Sequence, residues 1–89
     1  MAVVVLRSPL RDLAGGASRV DVAGATVTDV LVGLEREHPR LIGWVRDERG
    51  RIREHVKVFV NEEPAGEESA VGPGDRVHVL PSITGGNGG

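Results

Sequence analysis

The clearest periodic stretch of this chain is a single amphipathic helix, flanked on both sides by short valine-rich runs of strand length. Val27, Val30, Leu31 and Leu34 fall at i, i+3, i+4 and i+7 and make one apolar face. Thr26 is placed to cap the helix, and Asp29 sits in its first turn, near the positive end of the dipole. Pro39 stops it at about His38, and Glu35, Arg36 and Glu37 read as its exposed end. Valine is a mediocre helix former, so this helix must be held by packing rather than by propensity. In a chain of 89 residues that leaves one architecture of two layers, a helix laid across a sheet.

The strands are legible from period and composition. Ala2-Val3-Val4-Val5-Leu6-Arg7 is too short for an independent helix and reads as a buried first strand. Residues 8–16, with Pro9 and the pair Gly15-Gly16, read as a loop that reverses the chain. Arg19-Val20-Asp21-Val22 alternates polar and apolar, so it is a half-buried second strand that forms a hairpin with the first. Leu41, Ile42, Trp44 and Val45 read as an apolar cluster covering one edge of the core. Residues 46–51 read as a solvated loop of mixed charge. His55-Val56-Lys57-Val58-Phe59-Val60-Asn61 alternates again, with Val56, Val58 and Val60 inward and Lys57 and Phe59 outward. Residues 61–66 read as a turn, with a short further strand possible before the strong turn Gly72-Pro73-Gly74-Asp75. Arg76-Val77-His78-Val79-Leu80 is the last strand, with Val77 and Val79 inward and His78 and Leu80 outward. The expected fold is α+β, a mixed sheet of four to five strands with one main helix across it.

The chain then changes character. Pro81 cannot donate to a strand ladder, and Ser82-Ile83-Thr84-Gly85-Gly86-Asn87-Gly88-Gly89 loses side-chain bulk residue by residue. The expected division is a domain over residues 1–81 and a flexible tail over residues 82–89. Glycine lacks a Cβ, so a tail of this kind can pass through a narrow site with its carboxylate leading. A glycine run alone reads more readily as a frayed end.

Several function classes are excluded by what is missing. The formal net charge of −2 provides no basic field for nucleic acid, and one Trp, one Phe and no Tyr leave no stacking platform. The absence of Cys excludes a disulfide scaffold, a thiol nucleophile and a Cys-ligated metal. His38, His55 and His78 lack metal-ligand spacing and read as solvated. Gly15-Gly16 is not followed by the Lys-Ser/Thr of a phosphate loop, and Ser8, Ser18, Ser69 and Ser82 have no base nearby in sequence. Arg46, Arg49, Arg51 and Arg53 alternate with Asp47, Glu48 and Glu54 and read as solvated surface, with a charge contact to a partner left open. The amino-terminal run carries neither signal-peptide nor membrane-span features, so the expectation is a cytoplasmic protein with no membrane partner.

Three segments together resemble a family. Val58-Phe59-Val60-Asn61, then Gly72-Pro73-Gly74-Asp75-Arg76-Val77, then Leu80-Pro81-Ser82-Ile83-Thr84-Gly85-Gly86 resemble the ubiquitin-like sulfur carriers, the MoaD/ThiS-type β-grasp proteins. That family includes the small subunit of molybdopterin synthase and the carrier of cysteine synthesis. The resemblance covers essentially the whole chain. It implies a protein co-substrate rather than an enzyme, with no bound cofactor. An E1-like adenylating partner, often with a sulfurtransferase domain, activates the terminal glycine with ATP. A sulfur donor converts the adenylate to a thiocarboxylate, and a sulfur-accepting synthase uses it. Ile83, Thr84, Gly85, Gly86, Asn87 and Gly88 are then the tail threaded into the partner, and Phe59, Leu80 and Pro81 the docking residues.

The chain departs from the family pattern at its end, where Asn87-Gly88-Gly89 follows Gly85-Gly86. Two termini fit: Gly89 as written, or Gly86 after a protease trims the tail. The three extra residues lengthen the reach by roughly 10 Å when extended. Two other classes share the fold: a protein modifier forming isopeptide bonds, and a non-covalent interaction module with an inert tail. The sulfur acceptor is not legible.

Overall fold

The computed structural model describes residues 1–81. Among them, five strands form one sheet in the order β2-β1-β5-β3-β4. The elements are β1 (Ala2–Leu6), α1 (Leu10–Leu13), β2 (Arg19–Val22), α2 (Val27–Glu37), β3 (Val56–Val60), β4 (Glu63–Ala65) and β5 (Arg76–Pro81), with a 3₁₀ turn over Pro39–Leu41. β1 pairs antiparallel with β2 and parallel with β5, so the first and last strands lie side by side in the middle of the sheet. β3 pairs antiparallel with both β5 and β4. The mixed sheet crossed by one main helix is the β-grasp arrangement expected from the sequence.

Strand alternation sorts the side chains into two faces. Ala2, Val4 and Leu6 of β1, Val20 and Val22 of β2, Val56 and Val58 of β3, and Val77 and Val79 of β5 are buried on the inner face. Val60 keeps this phase but is only half-buried. Helix α2 closes the inner face with Val27, Val30, Leu31 and Leu34, the four residues of its apolar stripe, all buried. Full burial of a side chain such as Leu31 or Leu34 is worth about 2 kcal/mol. The Thr26 hydroxyl accepts a hydrogen bond from the Asp29 backbone N–H at 3.2 Å, and Asp29 reaches back to accept from the Ala25 N–H at 3.4 Å. These bonds satisfy donors that an uncapped helix start would leave orphaned.

Four expectations are corrected. Residues 8–16 are not only a loop: they contain α1, where Leu10 is buried and acts as a plug at the end of the core. Residues 61–66 are not only a turn: Glu63–Ala65 forms β4 against β3, and its edge position tolerates Pro64. The cluster after α2 is split, because Leu41 and Val45 are buried while Ile42 and Trp44 are 62% and 46% exposed. Glu35 is not at an exposed end of the helix but buried, and Arg46 is not solvated, because the two form an ion pair at 2.7 Å. That pair, eleven residues apart in the chain, fastens the 43–53 loop to α2.

The loop is further ordered by carboxylates. Asp47 Oδ1 accepts from the backbone N–H groups of Arg49 and Arg51, and Glu67 Oε2 accepts from Ile52 N–H at 2.8 Å. At the opposite side, Asp75 Oδ2 accepts from Gly72 N–H at 2.8 Å, and the Asn61 side-chain amide donates to Asp75 Oδ1 at 3.3 Å. Asn61 takes a positive φ of 57° and its Oδ1 accepts from Arg76 N–H, so it tightens the turn between β3 and β4 against β5.

Candidate functional site: the outer sheet face and the start of the tail

The outer face of the sheet has no helix over it among the described residues. The register lines its side chains into a row: Arg19 opposite Val5, Val5 opposite His78, His78 opposite Phe59, and Phe59 opposite Pro64. One step toward the end of β5, Leu80 lies opposite Lys57. Val5, His78, Phe59 and Leu80 are half-buried. Phe59, Pro64, Ala65, Arg76, His78 and Leu80 line an open groove on this face. An open, half-buried face that sets Val5, Phe59 and Leu80 around His78, with Arg76, Glu62 and Glu63 at the groove's margin, can serve as a protein-docking surface.

The sequence-predicted docking residues are distributed as follows. Phe59 and Leu80 share this outer face on neighbouring strands. Pro81 is paired with Val56, an inward residue, so the pleat places it on the helix side at the very end of β5. Pro81 is the last described residue and still in the strand. The predicted tail residues Ile83, Thr84, Gly85, Gly86, Asn87, Gly88 and Gly89 lie outside the described residues. Arg76, His78 and Pro64 join the groove without having been singled out as site residues. Alternation marked His78 as outward, but only the β3–β5 register brings it beside Phe59.

The two ends of the sheet differ in charge. At the end where β5 finishes, Arg7 follows Leu6, the partner of Val79, while Arg53 and Lys57 flank the start of β3, with Glu54 beside them. At the other end stand Glu62, Glu63 and Asp75, with Arg76 at the start of β5. A partner engaging the start of the tail therefore meets mostly cations, and a field of that sign favours an acidic approach surface.

The ionisable groups with displaced affinities are structural. The hydrogen bond to Glu35 holds the Arg46 guanidinium above its ordinary value, with burial opposing. Asp47 is held below the usual carboxylate range by the Arg51 backbone N–H, Glu67 by the Ile52 N–H, and Asp75 by the Gly72 N–H and then Asn61. Each is a carboxylate accepting from backbone, which favours the charged form. None lies in the apolar row. Among the described residues no group of three or more His, Cys, Asp or Glu is placed to hold a metal ion. No helix among them is long and apolar enough to cross a membrane.

Comparison with known proteins agrees with this geometry. The model of the ThiS family matches residues 4–86. Small archaeal modifier protein 1 of Haloferax volcanii is 37% identical over 83 residues, covering 91% of this chain and 95% of that protein. The sulfur carrier protein CysO of Mycobacterium bovis is 30% identical over 83 residues, covering 86% of this chain and 89% of that protein. Among solved structures, a chain of the Amycolatopsis orientalis BexX/CysO complex superposes with a TM-score of 0.86 at 28% identity, covering 93% of this chain and 97% of that one. SAMP1 of Haloferax volcanii superposes at 0.81 with 34% identity, covering 94% and 97%. The alternating strands, the single capped helix, the parallel pairing of first and last strands and the match over residues 4–86 lead to one conclusion: the chain belongs to the ThiS family of ubiquitin-like β-grasp proteins.

Proposed function

We propose that this protein is a sulfur carrier whose C-terminal glycine is the working group. The observation that carries the reading is where β5 finishes. It runs through the middle of the sheet to Pro81, one residue past the outward Leu80, and the remaining sequence narrows to glycine. Membership of the ThiS family and a relative named as a sulfur carrier support it.

The chemistry asks little of the carrier's own side chains. An E1-like partner, often fused to a sulfurtransferase domain, adenylates the Gly89 carboxylate with ATP. Sulfur from a donor then displaces AMP to give the thiocarboxylate, which a synthase consumes. The partner uses ATP and the sulfur donor; the carrier is a co-substrate. Gly85, Gly86 and Gly88 allow the tail, with Ile83, Thr84 and Asn87, to pass through a channel that a Cβ would obstruct. Phe59 and Leu80 dock the body, with Pro81 setting the exit of the tail. Trimming by a protease would move the working group to Gly86. The reaction belongs in the cytoplasm, where ATP is available.

A second reading is favoured by a specific relative. The Haloferax volcanii protein is named a modifier, so the same activated glycine is a candidate donor to lysines of other proteins. Deleting Gly88 and Gly89 tests the first reading at its centre. Activation should be lost while the thermal midpoint stays within about 2 °C, because the core described above is built from residues between Ala2 and Val79. Full activation of the shortened chain would instead assign Gly86.

A further inference from the structure

The two edges of the sheet are built differently. β4 closes one side with three residues, and Pro64 removes a backbone donor from it. β2 closes the other side with Arg19, Val20, Asp21 and Val22, and carries neither proline nor glycine. Two hydrogen bonds fix which way its backbone groups point. Leu6 N–H donates to Ser18 O at 2.9 Å, so the even-numbered residues of β2 turn their backbone groups toward β1. Val3, the residue opposite Asp21, donates its N–H to Asp75 O at 2.9 Å, on the β5 side and away from β2. The N–H and C=O groups of Arg19 and Asp21 therefore point off the edge, where no other strand of the described residues lies. Unpaired edge groups of this kind are a template for another strand.

The edge is complementary to itself. Val20 and Val22 are buried on the inner face, so the exposed Arg19 and Asp21 stand on the outer one. Two copies laid antiparallel along β2 can exchange backbone hydrogen bonds only where these odd-numbered positions face each other. Arg19 opposite Arg19, or Asp21 opposite Asp21, sets like charges face to face. Arg19 opposite Asp21 sets opposite charges together twice, by symmetry, with Val20 facing Val20 at the centre.

We propose that β2 is a self-association edge, through which two copies of this chain pair into one continuous sheet. Arg19 of each copy faces Asp21 of the other, and each facing pair exchanges two backbone hydrogen bonds and one ion pair. The two-fold axis stands perpendicular to the sheet at Val20, so both helices lie on one side and both outer faces on the other. The two β5 strands are separated by both copies of β1 and β2, roughly 24 Å apart. The groove around Phe59 and His78 stays open in each copy. Four residues a side is a small contact, so the pair is transient and forms at high protein concentration. Nothing in it depends on the sulfur-carrier reading.

Sedimentation equilibrium of the full untagged chain, up to millimolar concentration, reads the pairing, and amide hydrogen exchange locates it. The wild type should move from monomer to dimer as concentration rises, with exchange slowing at the Arg19 and Asp21 N–H groups. Arg19→Asp puts two acids on each edge and Asp21→Arg two bases, so each alone should associate at least tenfold more weakly. Mixed in equal amounts, the two variants should pair with each other at close to the wild-type affinity, which also shows that both are folded. The double exchange, Arg19→Asp with Asp21→Arg, should self-associate like the wild type. A wild type that stays monomeric throughout would overturn the proposal. So would a dimer that neither single change weakens, which would place the contact on another surface. A mixture that stays monomeric while the wild type pairs would overturn the charge-matched register.

Discussion

The Glu35 carboxylate, buried on α2, receives two hydrogen bonds from one guanidinium: Arg46 donates from Nη2 to Oε1 at 2.7 Å and from Nε to Oε2 at 3.3 Å. The side chains are 11% and 19% exposed, so the pair is largely withdrawn from water. Arg46→Ala would leave the Glu35 charge buried without a partner, which costs about 3 kcal/mol. Replacing both residues with Leu should cost much less than that single change. Urea unfolding of the two variants checks this, and a cost below about 0.5 kcal/mol for Arg46→Ala would mean the pair does not hold the loop.

Gly33 lies inside α2, where alanine would normally stabilise by about 1 kcal/mol. Here a Cβ would come within 2.5 Å of Val22 Cγ1 on β2. Val22 is buried and stiff at χ1, so it cannot swing away without cost. Gly33→Ala should therefore destabilise by about 1–3 kcal/mol, and Val22→Ala in the same chain should recover part of the loss. Thermal melts of the two variants measure it. A stabilised Gly33→Ala would show that helix and strand are not in the close contact described.

Asp75 links the turn before β5 to Asn61, and its carboxyl is held below the usual range by the Gly72 N–H and by Asn61. A depressed folded-state value means that the contribution is complete above the unfolded value of about 3.9 and is lost as pH falls through the lower folded value. Asp75→Asn keeps an acceptor oxygen but removes the titration. The stability gap between wild type and Asp75→Asn should be present at pH 6 and should shrink in acid below pH 4. Urea midpoints across that window provide the measurement; a gap that does not change with pH would contradict the assignment.

Phe59 and Leu80 are half-buried on the outer face and hold no part of the inner core. Phe59→Asp or Leu80→Asp should cost about 1 kcal/mol of stability or less. Each should lower activation by the cognate adenylating enzyme tenfold or more, as loss of an interface anchor does. Normal activation of both variants would move docking to another surface.

The fold was largely legible because its rules are local. An unbroken aliphatic run defined β1, alternating valines defined β2, β3 and β5, and Val27, Val30, Leu31, Leu34 and Thr26 defined α2 and its start. What escaped depends on distant partners. Four residues of α1 carry too little period to be distinguished from a turn; β4 exists only because β3 offers it a ladder; and Glu35 reads as a surface residue until Arg46 returns to it. The same holds at the site. Phe59 and Leu80 could be assigned outward by parity, but the row through Val5, His78, Phe59 and Pro64 requires the register of four strands. Pro81 broke the simple rule, because a residue that cannot donate can still close the last pair of a strand.

The central claim is that the end of this chain carries sulfur. The most direct measurement is the intact mass of the protein isolated from its native host by a route that leaves the C-terminus untouched. The account predicts a species of the full chain in which one oxygen is exchanged for sulfur, with fragmentation placing the exchange at Gly89. An unmodified mass that stays unchanged after incubation with ATP, sulfide and candidate adenylating enzymes would contradict it.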